Sequence, residues 1–149
     1  MKLEKAIKQK KFENEFQKLI VNVIYTGNWL NALIIKRLKS YGISPQQYNV
    51  LRILRGQLPQ PATVGLIQER MLDKMSNASR LVEKLRHKGL VERRECERDR
   101  RAVDVVITQP GLDLLVEIDS GSKKFDRHLK SLGKNEAKKL NQLLDKLRG

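Results

Sequence analysis

The sequence DKMSNASRLVEKLRHKGLVERRECERDRRAVDVVIT, residues 73–108, decides the fold. Its first part has an amphipathic helical pattern that stops at Gly89. Two strand-like segments follow, Leu90–Arg94 and Ala102–Thr108, with the charged turn Glu97–Arg101 between them. In the second segment apolar residues alternate on one side: Val103, Val105 and Ile107. The stretch therefore predicts a helix followed by a β-hairpin.

The helix is predicted from the spacing of its apolar residues. Four of them fall at i, i+3, i+4 and i+7 on one face: Ala78, Leu81, Val82 and Leu85. Asp73 or Ser76 is expected to cap the N-terminus, because a short side-chain oxygen accepts hydrogen bonds from the free amides there. Lys88 and Gly89 are expected to end the helix. A helix that starts with small polar and basic residues, followed by a basic hairpin, suits a DNA major groove and the neighbouring backbone or minor groove.

The combination of this helix, the sequence KGLVER and a hairpin tip with Asp99, Arg100 and Arg101 resembles the recognition helix and wing of the MarR family of bacterial transcription regulators. The resemblance extends from about residue 12 to residue 147. It implies a mainly α fold with a small β-hairpin wing (α+β), in which a winged helix-turn-helix is flanked by N- and C-terminal dimerisation helices. The implied boundaries are 10–42 and 109–149 for the dimerisation helices and 43–108 for the DNA-binding region.

Net charge points to a polyanionic partner. The 149 residues carry a formal net charge of +14, with a pI of about 10.1. A chain this basic is expected to meet nucleic acid, and a merely solvated surface is less favoured because the charge concentrates at the helix and hairpin. No stretch approaches about 20 uninterrupted apolar residues, and the N-terminus lacks the apolar core of a signal peptide. A cytoplasmic protein is expected.

Cysteine and histidine usage indicates neither a metal site nor a catalytic site. Cys96 is the only cysteine, so no intrachain disulfide can form, which fits a reducing compartment. With only His87 and His128 beside it, there is no metal-ligand spacing. No glycine-rich phosphate loop or nucleophile elbow occurs. Cys96 is interpreted as a bystander thiol, because acidic neighbours oppose thiolate formation. The sequence predicts no enzyme and no cofactor.

Two long amphipathic segments indicate a homodimer. From Phe12 to Leu38 apolar residues recur at three- and four-residue steps, which predicts a helix of roughly 25–30 residues. Its apolar residues cover more than one face of the helix, so part of the helix is expected to contact a second chain. The alternative is that it packs only within its own subunit. Asn135–Arg148 carries a second stripe: Leu140, Leu143, Leu144 and Leu147. That stripe is either core or dimer seam, and the resemblance implies a seam.

Three further helices have N-cap signals at their first residues: Ser44, Thr63 and Thr108. Ser44 is followed by Pro45 and by Gln47, which completes a capping box. The helix after Thr63 is expected to be the first of the helix-turn-helix, reached through a loop at residues 56–62. This part departs from the family pattern in two places. Gln68 stands where a small residue is usual, and Leu72 replaces the usual turn glycine, so the turn and the register of the base-contacting residues are expected to differ.

The candidate groove contacts lie at the start of the recognition helix: Ser76, Asn77, Ser79 and Arg80. Asn pairs with adenine and Arg with guanine in the major groove. The alternatives are that Ser76 and Ser79 only cap the helix and that Arg80 binds only phosphate, which positions the protein without reading sequence. Three lysines are candidate phosphate contacts: Lys74, Lys84 and Lys88.

Three arginines lie at the wing tip: Arg98, Arg100 and Arg101. An arginine in a narrow minor groove gains from the focused negative potential there, and Arg100 is the favoured contact. The alternative is a solvated charge run. The resemblance implies that Asp99 pairs with one neighbouring arginine and shapes the wing.

Many members of the family bind small aromatic or phenolic ligands between the dimerisation helices and the DNA-binding domain. Three aromatic residues would line such a cleft here: Tyr25, Trp29 and Tyr48. Ordinary core packing of these residues is the favoured alternative.

The combined prediction is a dimeric winged helix-turn-helix repressor whose two recognition helices enter major grooves of a near-palindromic operator about 34 Å apart. A signal that favours a different dimer geometry would release the DNA. The alternative is a winged-helix module that binds protein or RNA.

Overall fold

The order of elements follows the predicted winged helix-turn-helix with added terminal helices. The computed structural model describes residues 1–149 except 96 and 100, and it describes the backbone but not the side chains of residues 123 and 124. The helices are α1 (Leu3–Ala6), α2 (Glu15–Leu38), α3 (Pro45–Gln57), α4 (Val64–Arg70), α5 (Ala78–His87), α6 (Gln109–Ser120), α7 (Ser122–Asp126) and α8 (Lys134–Arg148). The strands are β1 (Ala62–Thr63), β2 (Val91–Glu95) and β3 (Val103–Ile107). The predicted fold class, mainly helical with a small antiparallel sheet, is confirmed.

The sheet has the strand order β1-β3-β2, and both pairings are antiparallel. In the hairpin Val91 pairs with Ile107 and Glu95 pairs with Val103, as the alternating pattern predicts. The edge strand β1 pairs Ala62 with Val105. The expectation of an irregular loop up to residue 62 missed β1, because two residues are too short to show a periodicity. Ala62 is buried there against the core.

Most of the core lies within residues 43–108, and Leu38 of α2 and two residues of α6 complete it. Its fully buried members come from α3, α4, α5, the sheet and α6: Leu51, Ile67, Val82, Leu85, Val91, Val105, Leu115 and Ile118. The predicted stripe of α5 is confirmed, with Ala78, Val82 and Leu85 buried and Leu81 partly buried. Because burial fixes which face of α5 points inward, it also fixes which face points to solvent.

Side-chain caps start the helices around this core. The Ser44 hydroxyl accepts from the Gln47 amide at 3.1 Å, and the Gln47 side chain accepts from the Ser44 amide at 3.0 Å, so the predicted capping box is present. Thr63 caps α4 through the Leu66 amide. Thr108 caps α6 and also donates to the Gly89 carbonyl at 2.7 Å, which holds α6 to the end of the recognition helix.

The long N-terminal helix begins slightly later than its apolar pattern suggests. Asn14 caps α2 by accepting from the amides of Phe16 and Gln17, so the helix begins at Glu15 instead of residue 12. It ends through a 3-10 turn at Gly42, whose φ of +69° favours glycine. Several of its large apolar side chains are exposed: Phe16, Leu19, Ile20, Val23, Ile24, Trp29 and Ile35.

The stripe of α8 is also exposed within its own chain. Leu140, Leu143 and Leu147 are 45%, 51% and 56% exposed. Of the two interpretations left open by the sequence, burial in the core of the same subunit is therefore wrong. Both terminal helices present apolar faces that this chain does not cover.

The close packing of α6 on the hairpin depends on Gly111. A Cβ atom there would lie 2.4 Å from the Leu90 carbonyl oxygen and 2.7 Å from Cγ1 of Ile107. The first neighbour is backbone and cannot rotate away. Position 111 therefore requires a residue without a side chain.

Gly111→Ala should lower the free energy of unfolding by roughly 1–3 kcal/mol, the usual range for overpacking a tight site. Gly56→Ala is the matched control, because nothing lies within 4 Å of a Cβ there and the residue is in α3. That change should stabilise the protein by about 0.5–1 kcal/mol. Urea unfolding at one protomer concentration measures both. Equal effects of the two changes would show that α6 does not pack as described.

Candidate nucleic-acid interface

The recognition helix α5 is held on three sides and open on the fourth. It packs against α3, α4 and β2 through its apolar stripe. Four of the predicted contacts are exposed at its start or along its free face: Asn77, Ser79, Arg80 and Lys84. Arg80 lies opposite the buried stripe, because it is two residues from both Ala78 and Val82. The structure thus brings these four residues to one solvent-facing surface.

The cap of α5 differs from the predicted one. Oδ1 of Asn77 accepts from the Arg80 amide at 3.0 Å, which makes Asn77 the N-cap. The expected cap at Asp73 or Ser76 is wrong, because the turn keeps the chain non-helical until residue 77. Asp73 caps the turn itself by accepting from the Met75 amide at 3.0 Å. Asn77 is exposed, so its side-chain amide can still donate to a base.

Two other predicted contacts are less free than the sequence suggests. The Ser76 hydroxyl oxygen is buried and has no hydrogen-bond partner among the described residues. It therefore does not lie on the open surface with Asn77. The Lys74 ammonium donates one hydrogen bond to the Glu69 carbonyl within the helix-turn-helix, which restricts its position but leaves its charge and its other N–H groups for a phosphate.

Glu83 joins the recognition helix to the wing. It accepts from Nη2 of Arg86 at 2.6 Å and from Nη1 of Arg93 on β2 at 3.2 Å. The Arg86 hydrogen bond lowers the pKa of the Glu83 carboxyl to about 2. Partial burial opposes this shift, and Arg93 adds to it. The Glu83 carboxylate is thereby paired with two guanidinium groups, so it is not left as an uncompensated negative charge on this basic surface.

Sequence reasoning missed this cluster. The i,i+3 spacing of Glu83 and Arg86 on a helix was a usable signal for that pair. The contact between Glu83 and Arg93 was not readable, because it depends on how the strand leaves the helix.

The wing turn is shaped by Asp99. Its Oδ1 accepts from the Arg101 amide at 2.9 Å, and its carbonyl accepts from the Ala102 amide at 3.0 Å. These bonds shape the turn through its backbone, and the expected pairing of Asp99 with a neighbouring arginine side chain stays a prediction. Arg98 and Arg101 are exposed at the tip. Arg100, the favoured DNA contact, and Cys96 lie outside the described residues.

A cavity of about 770 Å³ lies between the long helix and the DNA-binding region. Residues from α2, α3, α7 and the helix-turn-helix line it, among them Ile34, Arg37, Tyr48, Arg52, Met71 and Phe125. The Arg52 guanidinium lies 5.7 Å from the centre of the Tyr48 ring, and that of Arg37 lies 5.0 Å from the centre of the Phe125 ring. The cavity therefore combines aromatic walls with two cations.

Of the three predicted cleft residues, only Tyr48 lines this cavity. Tyr25 lies more than two helical turns before Ile34, and Trp29, although close to the lining residue Asn31 along α2, is not among the residues that line the cavity. Trp29 is 42% exposed, so core packing within the chain is also wrong for it. Arg37, Arg52 and Phe125 were not predicted, and nothing in their spacing marks them.

Comparison with known proteins agrees with this geometry. The model of the MarR family matches residues 41–102. No curated protein matches the chain.

Solved structures are similar over nearly the whole chain. A MarR transcription factor from Planctomyces limnophilus is 28% identical, with a TM-score of 0.68, and the match covers 91% of this chain and 98% of that one. A mutant of MarR from E. coli complexed with operator DNA is 22% identical, with a TM-score of 0.79 and coverage of 93% and 99%. An organohalide-sensing transcriptional regulator in its 2,4-dichlorophenol-bound form is 19% identical, with a TM-score of 0.81 and coverage of 94% and 85%.

The Glu83 cluster should give a characteristic pH dependence. Because the folded pKa is about 2 and the ordinary value is 4.5, its stabilisation is complete above about pH 4.5 and is lost as the pH falls towards 2. Carboxyl ¹³C titration of Glu83 measures this. Arg86→Gln should raise the Glu83 pKa more than Arg93→Gln, since Arg86 makes the larger contribution. An ordinary pKa in the unsubstituted protein would contradict the link between helix and wing.

Proposed function

We propose that the chain is a member of the MarR family of transcription regulators, whose model matches residues 41–102, and that it is a dimeric, sequence-specific repressor that binds a near-palindromic operator. The observation that carries this proposal is the free face of α5. Its buried stripe holds the helix rigidly, while Asn77, Ser79, Arg80 and Lys84 are exposed together. A helix presented in this way fits the major groove of B-DNA.

Each exposed residue has an assigned role in the proposed complex. Arg80 donates to the O6 and N7 acceptors of guanine, and Asn77 donates from its side-chain amide to a base while its carbonyl caps the helix. Ser79 and Lys84 contact phosphate. These assignments combine base reading with backbone positioning, which specific binding requires.

The wing extends the contact beyond the groove. Arg98 and Arg101 are exposed at a turn that Asp99 shapes, and this position suits the flanking minor groove or backbone. We assign residues 43–108 to DNA binding and residues 10–42 and 109–149 to dimerisation. This division agrees with the core, which is concentrated in the first of these regions.

Dimerisation is supported by the uncovered apolar faces of α2 and α8. Soluble monomers rarely expose large contiguous apolar faces such as those of α2 and α8. An operator with twofold symmetry is matched by a protein with twofold symmetry. By length and composition alone, residues 15–41 would also be able to cross a membrane. A seam between subunits explains the same composition together with the apolar stripe of α8, so we favour a soluble dimer in the cytoplasm.

A small aromatic ligand of the cavity is the proposed signal. Tyr48 and Phe125 offer ring faces, and Arg37 and Arg52 offer cations for a phenolate or carboxylate group. A neighbouring solved structure holds 2,4-dichlorophenol, which makes that phenol a suitable probe. It should protect the protein in a thermal shift assay and weaken operator binding. Binding that persists unchanged in Tyr48→Ala would place the ligand elsewhere.

Footprinting upstream of the protein's own and neighbouring genes locates the operator and tests DNA reading. Arg80→Ala should weaken binding to that duplex by about 1–3 kcal/mol and weaken binding to a random duplex less. Arg127→Ala, which removes an exposed arginine just after α7, is the matched control for lost charge. Equal losses on the two duplexes would show that Arg80 binds only phosphate. A preference for RNA or protein over every duplex would reject the DNA proposal.

Asn77 needs a variant that keeps the cap. Asn77→Ser retains a neutral capping oxygen, whereas Asn77→Ala would also lose about 1 kcal/mol of helix stability. Asn77→Ser therefore separates a base contact from the structural role of the residue.

Leu143→Asp should turn the dimer into monomer or aggregate, because it places a charge in the proposed seam. Gln142→Asp is the matched control, since it adds the same charge on the polar face of the same helix. Sedimentation measures the state of each variant. If the Leu143→Asp variant remained a dimer, α8 would not be part of the seam.

A further inference from the structure

The turn between α4 and α5 contains no glycine, although it must redirect the chain between the two helices. Residues 71–77 read MLDKMSN. Leu72 and Met75 are 88% and 92% exposed, so apolar packing of their side chains does not hold the turn. Met71, at the start of the turn, is buried in the core, and Asp73 accepts a hydrogen bond within the turn. Side chains from outside the turn add two further hydrogen bonds, one near each end.

Gln68 makes the bond at the end of the turn. Its Oε1 accepts from the amide of Ala78 at 3.0 Å, in a partly buried position, and its Nε2 lies 3.5 Å from the Lys74 carbonyl. Ala78 is the first residue of the recognition helix, and its own side chain is buried. Gln68 therefore connects the last turn of α4 directly to the start of α5.

Asn49 makes the corresponding bond at the start of the turn. Its Oδ1 accepts from the Leu72 amide at 2.9 Å. The turn is thus anchored to α3 at one end and to α4 at the other. Both anchors are neutral amide side chains, so their geometry does not change with pH.

The bonds of Gln68 and Asn77 have different consequences. The first amides of a helix have no partner within it. Asn77 is the N-cap of α5 itself and accepts from the Arg80 amide. That bond can therefore form whatever the position of α5 relative to α4. Gln68 belongs to another helix, so its bond fixes the distance and direction between α4 and α5. Apolar packing is non-directional and does not by itself set this position.

We propose that Gln68 is a positioning residue, which sets where the recognition helix begins relative to α4 and thereby which bases its side chains reach. The proposal rests on the proposed DNA-binding function. It assigns the role to the residue at which this chain departs from the small residue usual in the family pattern.

Hydrogen exchange of individual amides tests the bond without DNA. Gln68→Met keeps the shape of the side chain and removes the acceptor, whereas Gln68→Glu keeps an acceptor. In the full-length protein, Ala78 should exchange about five- to tenfold faster in Gln68→Met, the loss expected for one hydrogen bond. The Arg80 amide, held by Asn77, should change little, and Gln68→Glu should restore the Ala78 rate. An unchanged Ala78 rate in Gln68→Met overturns the proposal.

Binding measurements on operator and random duplexes test the positioning role. The ratio of the two affinities should fall about five- to tenfold in Gln68→Met and recover in Gln68→Glu, since one hydrogen bond is lost and then restored. The negative charge added in Gln68→Glu should weaken binding to both duplexes alike, so the ratio of the two affinities is the informative quantity. The salt dependence should stay constant, because no phosphate contact is lost. Gln60→Met, an exposed loop glutamine, is the control.

Two outcomes would overturn the positioning role. One is faster exchange at Ala78 with an unchanged affinity ratio, and the other is equal weakening on both duplexes, which is the result of a merely structural residue. If the unsubstituted protein preferred no duplex at all, the proposed function would fail. The exchange result would still decide whether Gln68 holds the helix.

Discussion

Burial of one stripe of the recognition helix is the constraint on which the rest of this structure depends. Val82 and Leu85 are almost completely buried among α3, α4 and the hairpin. A helix held on that face cannot rotate without exposing them, and burial of side chains of this size contributes about 1.5–3 kcal/mol each. The opposite face is therefore fixed in direction, which lets four polar residues act as one surface.

Electrostatics on that surface follow from the same constraint. A fixed helix places Glu83 where Arg86 and Arg93 can both reach it, and the strongly lowered pKa of Glu83 shows how well the carboxylate is compensated. Arg80 and Lys84 on α5 and Arg98 and Arg101 at the wing tip are exposed. The pair of arginines thus links the helix to the wing and also removes an uncompensated negative charge from a basic surface. A free carboxylate there would repel phosphate.

Local signals predicted the elements well, and contacts between distant residues limited what could be predicted of the site. Ser44, Thr63 and Thr108 cap helices as expected, because a cap depends on residues within one turn. The start of α5 was placed too early, because the turn before it is held by Asn49 and Gln68 from other helices. The cavity arginines and the Glu83–Arg93 contact were missed for the same physical reason. Periodicity identified the exposed stripe of α8 but not whether it lies in a core or on a surface.

One wall of the cavity is formed by the turn that precedes α5. Met71, Leu72 and Asp73 of the turn line the cavity, and so does Asn49, whose side chain holds the Leu72 amide. A ligand changes a conformational equilibrium only by binding one state better than the other. A molecule bound in this cavity would contact the turn directly. Its affinity can therefore differ between a state in which Asn49 holds the turn and a state in which it does not. If the proposed ligand and operator both bind, coupling between them would have a path within one subunit, through the turn before α5, and would not require that the dimer spacing change first.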